Sequence, residues 1–100
     1  MKYNKLVRDK TPEYIEKKGG KPVFHIARTD EYWKKLKEKL REEIEEFTKD
    51  ENIEEIVDIL EVIEAIIKHK KFTNKDITAV KSLKAKERGG FKKGIILEEA

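Results

Sequence analysis

Two pairs of acidic residues, each with the spacing of one helical turn, flank a short polar break at residues 50–52. Glu43 and Glu46 form the first pair, and Glu55 and Asp58 form the second. An i, i+3 spacing places two side chains on one helix face, about 4.5 Å apart along the axis. If both flanks are helical and fold back on each other, residues equidistant from the break lie level. That geometry pairs Glu43 with Asp58 and Glu46 with Glu55.

Four carboxylates at one level repel each other unless a cation lies among them. Mg²⁺ prefers oxygen ligands and keeps some of its waters for a phosphate substrate, and Mn²⁺ is the alternative ion. The chain has no cysteine, and His25 and His69 lie well outside the acidic segment, which disfavours zinc. The pattern therefore predicts a magnesium site. The alternative is a solvated acidic face on a non-catalytic helical dimerisation or regulatory module.

The first acidic pair requires a helix that begins at Thr29 or Asp30 and runs to about Lys49. Its apolar residues recur at helical spacing and form one stripe. On the helical wheel Glu43 and Glu46 lie on one flank of this stripe, about 60° and 120° from its centre. Glu42 and Glu45 fall on the opposite, solvent side. The stripe consists of Trp33, Leu36, Leu40, Ile44 and Phe47.

The second pair requires a helix over about 52–70 that is apolar over roughly 200° of its circumference. Its first stripe is Ile53, Ile56, Val57, Leu60, Ile63 and Ile67, and its second is Ile59, Val62 and Ile66. Glu55 continues the second stripe and Asp58 lies at its edge, whereas Glu64 falls inside the first. So broad an apolar surface needs partners on two sides, and we expect a homodimer that buries the second stripe.

The remaining segments predict a mainly α helical bundle formed by residues 1–100 as a single domain. Helices are expected over about 12–18 and 74–88. Residues 22–27 and 94–98 are rich in β-branched and aromatic side chains, so we expect them to pair as a small two-stranded ribbon.

Composition narrows the class of protein. Charged residues make up 45% of the chain, yet the net charge is only +3, so the signs are interleaved and bulk electrostatic binding of nucleic acid is disfavoured. No apolar run approaches a membrane span, and no secretory signal is recognisable, which predicts a cytoplasmic protein without a membrane partner. The absence of glutamine and the abundance of Lys, Glu and Ile are typical of thermophiles.

The acidic segment also resembles a known signature. EEIEE at 42–46 followed by EIVD at 55–58 is similar to the metal-binding EExxE…ExxD motif of the all-α nucleotide pyrophosphohydrolases. That superfamily includes MazG, the dimeric dUTPases and phosphoribosyl-ATP pyrophosphohydrolase. KLVRDKTPEYIE at 5–16 and KERGGFKKGIIL at 86–97 resemble small stand-alone MazG-like proteins, so the resemblance covers nearly the whole chain. Only eight residues separate Glu46 from Glu55, which leaves little protein there to enclose a base.

The resemblance implies that Glu43, Glu46, Glu55 and Asp58 bind Mg²⁺ and that Glu43 and Glu46 are catalytic. The implied reaction is hydrolysis of a nucleoside triphosphate to the monophosphate and pyrophosphate, in a house-cleaning role and in a homodimer or larger homo-oligomer. Phosphoribosyl-ATP hydrolysis in histidine biosynthesis is an alternative that uses the same cluster.

Basic residues near both ends of the chain gain a role from this reaction. A triphosphate held by an acidic metal cluster still needs cations for its outer oxygens, and arginine offers a bidentate fork. The alternative is ordinary solvated surface. The candidate substrate-binding residues are Lys5, Arg8, Lys10, Arg88, Lys92 and Lys93.

Overall fold

A computed structural model describes residues 3–100 and shows a mainly helical chain, as the sequence predicts. Its helices begin and end within two residues of the predicted positions. They are α1 (Thr11–Lys17), α2 (Thr29–Asp50), α3 (Ile53–Lys70) and α4 (Asn74–Arg88).

A two-residue connection turns the chain from α2 into α3. Glu51 adopts the left-handed conformation, with φ +48°, and its N–H donates to the carbonyl of Phe47 at 2.8 Å, which ends α2. Asn52 then caps α3, because its side-chain oxygen accepts from the N–H of Glu55 at 3.0 Å. The polar break thus stops one helix and starts the next within two residues, so α3 packs back along α2.

The α2–α3 pair buries part of the predicted apolar surface. Leu36 is 1% exposed, and Leu40 on α2 and Ile59, Val62 and Ile66 on α3 are half-buried. We predicted that a dimer would bury the second stripe of α3. The structure corrects the choice of stripe, because the second stripe is already half-buried within the chain. Ile53 is 75% exposed, and most of the first stripe is exposed with it.

The predicted two-stranded ribbon is absent from residues 3–100, because neither 22–27 nor 94–98 is a strand. A strand depends on a paired neighbour for its hydrogen bonds, and both segments are irregular. The β-rich composition of these segments therefore appears as exposed apolar side chains; Val23 is 100% exposed, and Ile26, Ile95, Ile96 and Leu97 are also largely exposed.

The chain divides into two compact units, one ending at Lys70 and one running from Lys71 to Ala100. In the second unit Thr73 caps α4 through a hydrogen bond from the N–H of Asp76 at 3.1 Å, and α4 ends at Gly89, whose φ is +76°. The single domain expected over 1–100 stays a prediction. Within residues 3–100, no helix has the length and apolar character needed to cross a bilayer.

The left-handed residue in the α2–α3 connection gives a stability prediction. Replacing Glu51 with glycine relieves the steric cost of φ +48°, so Glu51→Gly should leave the free energy of unfolding unchanged or raise it by up to about 1 kcal/mol. The matched control Glu45→Gly lies inside α2 at an exposed position and should lower that free energy by about 1 kcal/mol. Urea denaturation of both variants measures the difference. Equal losses in the two would contradict the assigned turn.

Candidate functional site on the α2–α3 hairpin

The hairpin brings five carboxylates into two overlapping groups. Oxygen atoms of Glu43, Glu55 and Asp58 lie within 4.8 Å of one another. Oxygen atoms of Glu46, Asp50 and Glu55 do the same. Glu55 belongs to both groups, so the carboxylates form one continuous acidic cluster.

The order of these groups follows the antiparallel course of the helices. Glu43, the earlier residue on α2, meets Asp58, the later residue on α3, whereas Glu46 meets Glu55 nearer the connection. The four side chains with the predicted spacing therefore converge in the structure, and their role as metal ligands stays a prediction. Asp50 was not among the predicted ligands, although it follows Glu46 at i+4 on the same helix face.

Glu43 is the most buried member of the cluster, with 7% of its surface exposed. A carboxylate at that depth needs a partner to offset the loss of water. Lys39, one helical turn earlier, supplies it through an Nζ–Oε1 contact of 3.1 Å and also lies 3.6 Å from Glu42. Lys39 was not among the predicted site residues, although its i, i+4 spacing to Glu43 was the available signal.

The N-terminal segment before α1 is held against α2 by two polar contacts. Lys5 donates to Glu42 at 3.0 Å, and Lys35 donates to the carbonyl of Asn4 at 2.6 Å. Glu42 is consequently half-buried, which corrects the prediction that it faces solvent. Burial alone would raise the pKa of Glu42, but the hydrogen bond from Lys5 and the charge of Lys39 hold that pKa below its ordinary value. The same hydrogen bond raises the pKa of Lys5.

Arg8 reaches from the same segment to α3. Its Nη1 and Nη2 donate to the two oxygens of Glu61 at 2.8 and 3.1 Å, and Nη2 also donates to Asp58 at 2.5 Å. These bonds raise the pKa of Arg8, and the hydrogen bond from Arg8 lowers the pKa of Glu61. Arg8 was predicted to bind substrate, and it lies beside the predicted metal ligand Asp58. In the structure its guanidinium group pairs with carboxylates of the protein.

The pKa of Glu55, the residue shared by the two groups, is raised above its ordinary value. Loss of surrounding water raises its pKa, and the charges of Asp58, Glu43, Glu46 and Asp50 raise it further. Four neighbouring negative charges thus act on Glu55. A donor set made only of carboxylate oxygens fits a hard divalent cation such as Mg²⁺.

The other predicted substrate-binding residues are exposed side chains. Lys10 is exposed immediately before α1. Arg88, Lys92 and Lys93 are exposed in the second unit, and their role stays a prediction.

An open depression of about 600 Å³ has Glu61, the ion-pair partner of Arg8, in its lining. Glu64 contributes to its wall. His69 stacks on Trp33, with ring centroids 5.3 Å apart and planes 9° apart, which makes both rings parts of the hairpin's packing. The lining residues are Asp9, Tyr32, Glu61, Glu64, Ala65, Lys68 and His69.

No family model and no solved structure matches the chain. A protein of Mycolicibacterium smegmatis described as uncharacterized is 49% identical over 41 residues, which is 41% of this chain. The matched part spans 42% of that relative's length. This similarity carries no activity, so function must be argued from the site.

The repulsion at Glu55 gives a second testable prediction. In metal-free buffer near neutral pH, Glu55→Gln removes a carboxylate whose pKa is raised, so the variant should melt at a higher temperature than the wild type. Because the folded-state pKa is the higher one, the folded protein binds the proton more readily, and this group's stabilisation is lost as pH rises through that pKa. The wild type should accordingly gain stability relative to Glu55→Gln when pH falls towards 4.5, the ordinary value for glutamate.

Glu54→Gln is the matched control, because Glu54 lies in the same first turn of α3 but is exposed and outside the cluster. Thermal denaturation in the presence of EDTA across pH measures both variants. A melting temperature of Glu55→Gln that equals that of Glu54→Gln at every pH would contradict the clustered charge.

Proposed function

We propose that the chain is a magnesium-dependent nucleoside triphosphate pyrophosphohydrolase, which converts a triphosphate and water to a monophosphate and pyrophosphate. The observation that supports the proposal is the convergence of Glu43, Glu46, Glu55 and Asp58 from two helices. The resemblance of the same residues to the EExxE…ExxD signature supplies the reaction. The proposal includes the MazG-like form of the helical fold.

Glu43, Glu55 and Asp58 would hold one cation, and Glu46, Asp50 and Glu55 offer a second set of oxygens. Mg²⁺ is the expected ion and Mn²⁺ the alternative. When bound, such an ion neutralises phosphate charge and makes a coordinated water more acidic.

Of the two carboxylates proposed as catalytic, Glu46 is the better general base. Glu43 is buried and one of its oxygens is engaged by Lys39. Glu46 is half-exposed and lies nearer the helix connection, with Asp50 and Glu55. A general base must accept a proton from the attacking water at hydrogen-bond distance, which favours an accessible carboxylate. Glu43 then serves mainly to hold the cation.

Arg8 and Lys5 place positive charge at the rim of this acidic site. The guanidinium of Arg8 would share its donors between Asp58 and the phosphate oxygens of the substrate. Lys10, Arg88, Lys92 and Lys93 remain proposed phosphate contacts. The exposed first stripe of α3 is the surface through which the proposed homodimer would form, and the cytoplasm is the proposed location.

Pyrophosphate release tests the proposal directly. The wild-type protein should release pyrophosphate from at least one member of a panel of canonical and damaged nucleoside triphosphates and phosphoribosyl-ATP, and only with Mg²⁺ or Mn²⁺ present. Glu46→Gln and Asp58→Asn should lower kcat by about 100-fold or more, because they remove a general base and a metal ligand. Glu45→Gln, an exposed neighbour on α2, is the control and should keep full activity.

Two results would contradict the proposal in different ways. Absence of pyrophosphate release from every nucleotide would exclude the activity. Release that survives both Glu46→Gln and Asp58→Asn would exclude the assigned site.

A further inference from the structure

Lys39 is the cation that lies deepest beside the cluster. Its side chain is only 18% exposed, and its Nζ lies 3.1 Å from Oε1 of Glu43. A second contact of 3.6 Å to Glu42, which Lys5 also binds, limits the positions that the ammonium group can take. Lys39 is therefore a confined positive charge next to a proposed metal ligand.

Arg8, from the segment before α1, is a second cation beside the cluster and contacts carboxylates of α3. It contacts Oδ1 of Asp58, and Asp58 lies within 4.8 Å of Glu43 through their carboxylate oxygens. Lys39 on α2 thus flanks the cluster at Glu43, and Arg8 from the N-terminal segment flanks it at Asp58.

Neither cation prevents its carboxylate from holding a metal. A carboxylate has two oxygens and several acceptor positions, and the contact described for each cation engages one oxygen. The second oxygen of Glu43 and of Asp58 can face a divalent ion while the first stays bonded to the protein cation.

We propose that Lys39 is a phosphate-binding residue that acts with Arg8 on neighbouring oxygens of the substrate's phosphate chain. This inference rests on the proposed function and names the residue that would hold the anion on the α2 side. A polyphosphate approaching five carboxylates is repelled unless fixed positive charges offset them. The ammonium group of Lys39 has three donors, of which one is engaged by Glu43 and a second can face Glu42, so one is left for a phosphate oxygen.

A purely structural role for Lys39 makes a different prediction. If Lys39 only neutralises Glu43, its removal should alter protein stability and affinity for the cation but leave phosphate affinity unchanged. If Lys39 binds phosphate, its removal should weaken phosphate binding while divalent-ion binding stays equal or tightens, because a repelling charge has gone.

Calorimetric titration of inorganic pyrophosphate into the full chain at saturating Mg²⁺ separates these roles. Lys39→Gln should bind pyrophosphate about tenfold more weakly than wild type, the loss expected for one charge-assisted hydrogen bond. Lys34→Gln is the matched control on an exposed part of α2 and should bind as wild type does. Mn²⁺ binding in the absence of phosphate should be equal or tighter in Lys39→Gln. Lys39→Met, which keeps the alkyl stem, replaces Lys39→Gln if the latter does not fold.

If the Lys39 variant binds pyrophosphate as tightly as the Lys34→Gln control does, the inference is overturned, whatever the effect on Mn²⁺ binding. Weaker Mn²⁺ binding in the Lys39 variant would overturn it as well. The outcome is independent of the proposed activity. A wild type that hydrolyses nucleotides but binds pyrophosphate without Lys39 contradicts only the inference, whereas Lys39-dependent binding without hydrolysis contradicts only the activity.

Discussion

Repulsion between carboxylates that face each other across the α2–α3 hairpin is the constraint on which the rest of this site depends. Packing α3 on α2 forces Glu43, Glu46, Asp50, Glu55 and Asp58 together. Protein cations offset the charge at Glu43 and at Asp58. At Glu55, which belongs to both groups of carboxylates, loss of water and the four neighbouring negative charges both raise the pKa. A hairpin with this charge distribution is stabilised by any cation that binds there, because binding favours the folded state that carries the site.

The N-terminal segment determines where the compensating charges lie. Lys5 attaches it to α2 and Arg8 attaches it to α3, so one stretch of chain spans both helices of the hairpin. Exposed ion pairs contribute little to stability individually. Their importance here is positional, since they hold an ammonium and a guanidinium group beside the acidic cluster. The candidate site is therefore assembled from the α2–α3 hairpin and an N-terminal segment that is distant from it in sequence.

Much of this arrangement follows from periodicity. The helical repeat and the polar break predicted the α2–α3 hairpin, in which carboxylates on α2 face carboxylates on α3. The helical wheel placed Glu43 inward, and the structure buries it. Periodicity could not decide which of two adjacent apolar stripes on α3 faces α2, because both satisfy the same repeat. Nor could it predict the half-burial of Glu42, which depends on a contact with Lys5 from 37 residues away.

The ribbon prediction failed for a related reason. A strand forms only where a neighbour completes its hydrogen bonds, and composition does not supply that neighbour. The side chains at 22–27 and 94–98 identify two apolar segments, but they do not determine whether these segments pair. Neither segment is a strand in the described residues.

Paramagnetic broadening by Mn²⁺ tests the central claim, that this hairpin holds a divalent cation, most directly. Titration of isotopically labelled protein with substoichiometric Mn²⁺ should broaden the amide signals around Glu43, Glu46, Glu55 and Asp58 first, and excess Mg²⁺ should restore them. The exposed acidic residues Glu98 and Glu99 serve as an internal reference and should broaden only at higher Mn²⁺ concentration. Broadening that begins at Glu98 and Glu99, or that proceeds equally over all acidic residues, would contradict a cation site on the α2–α3 hairpin.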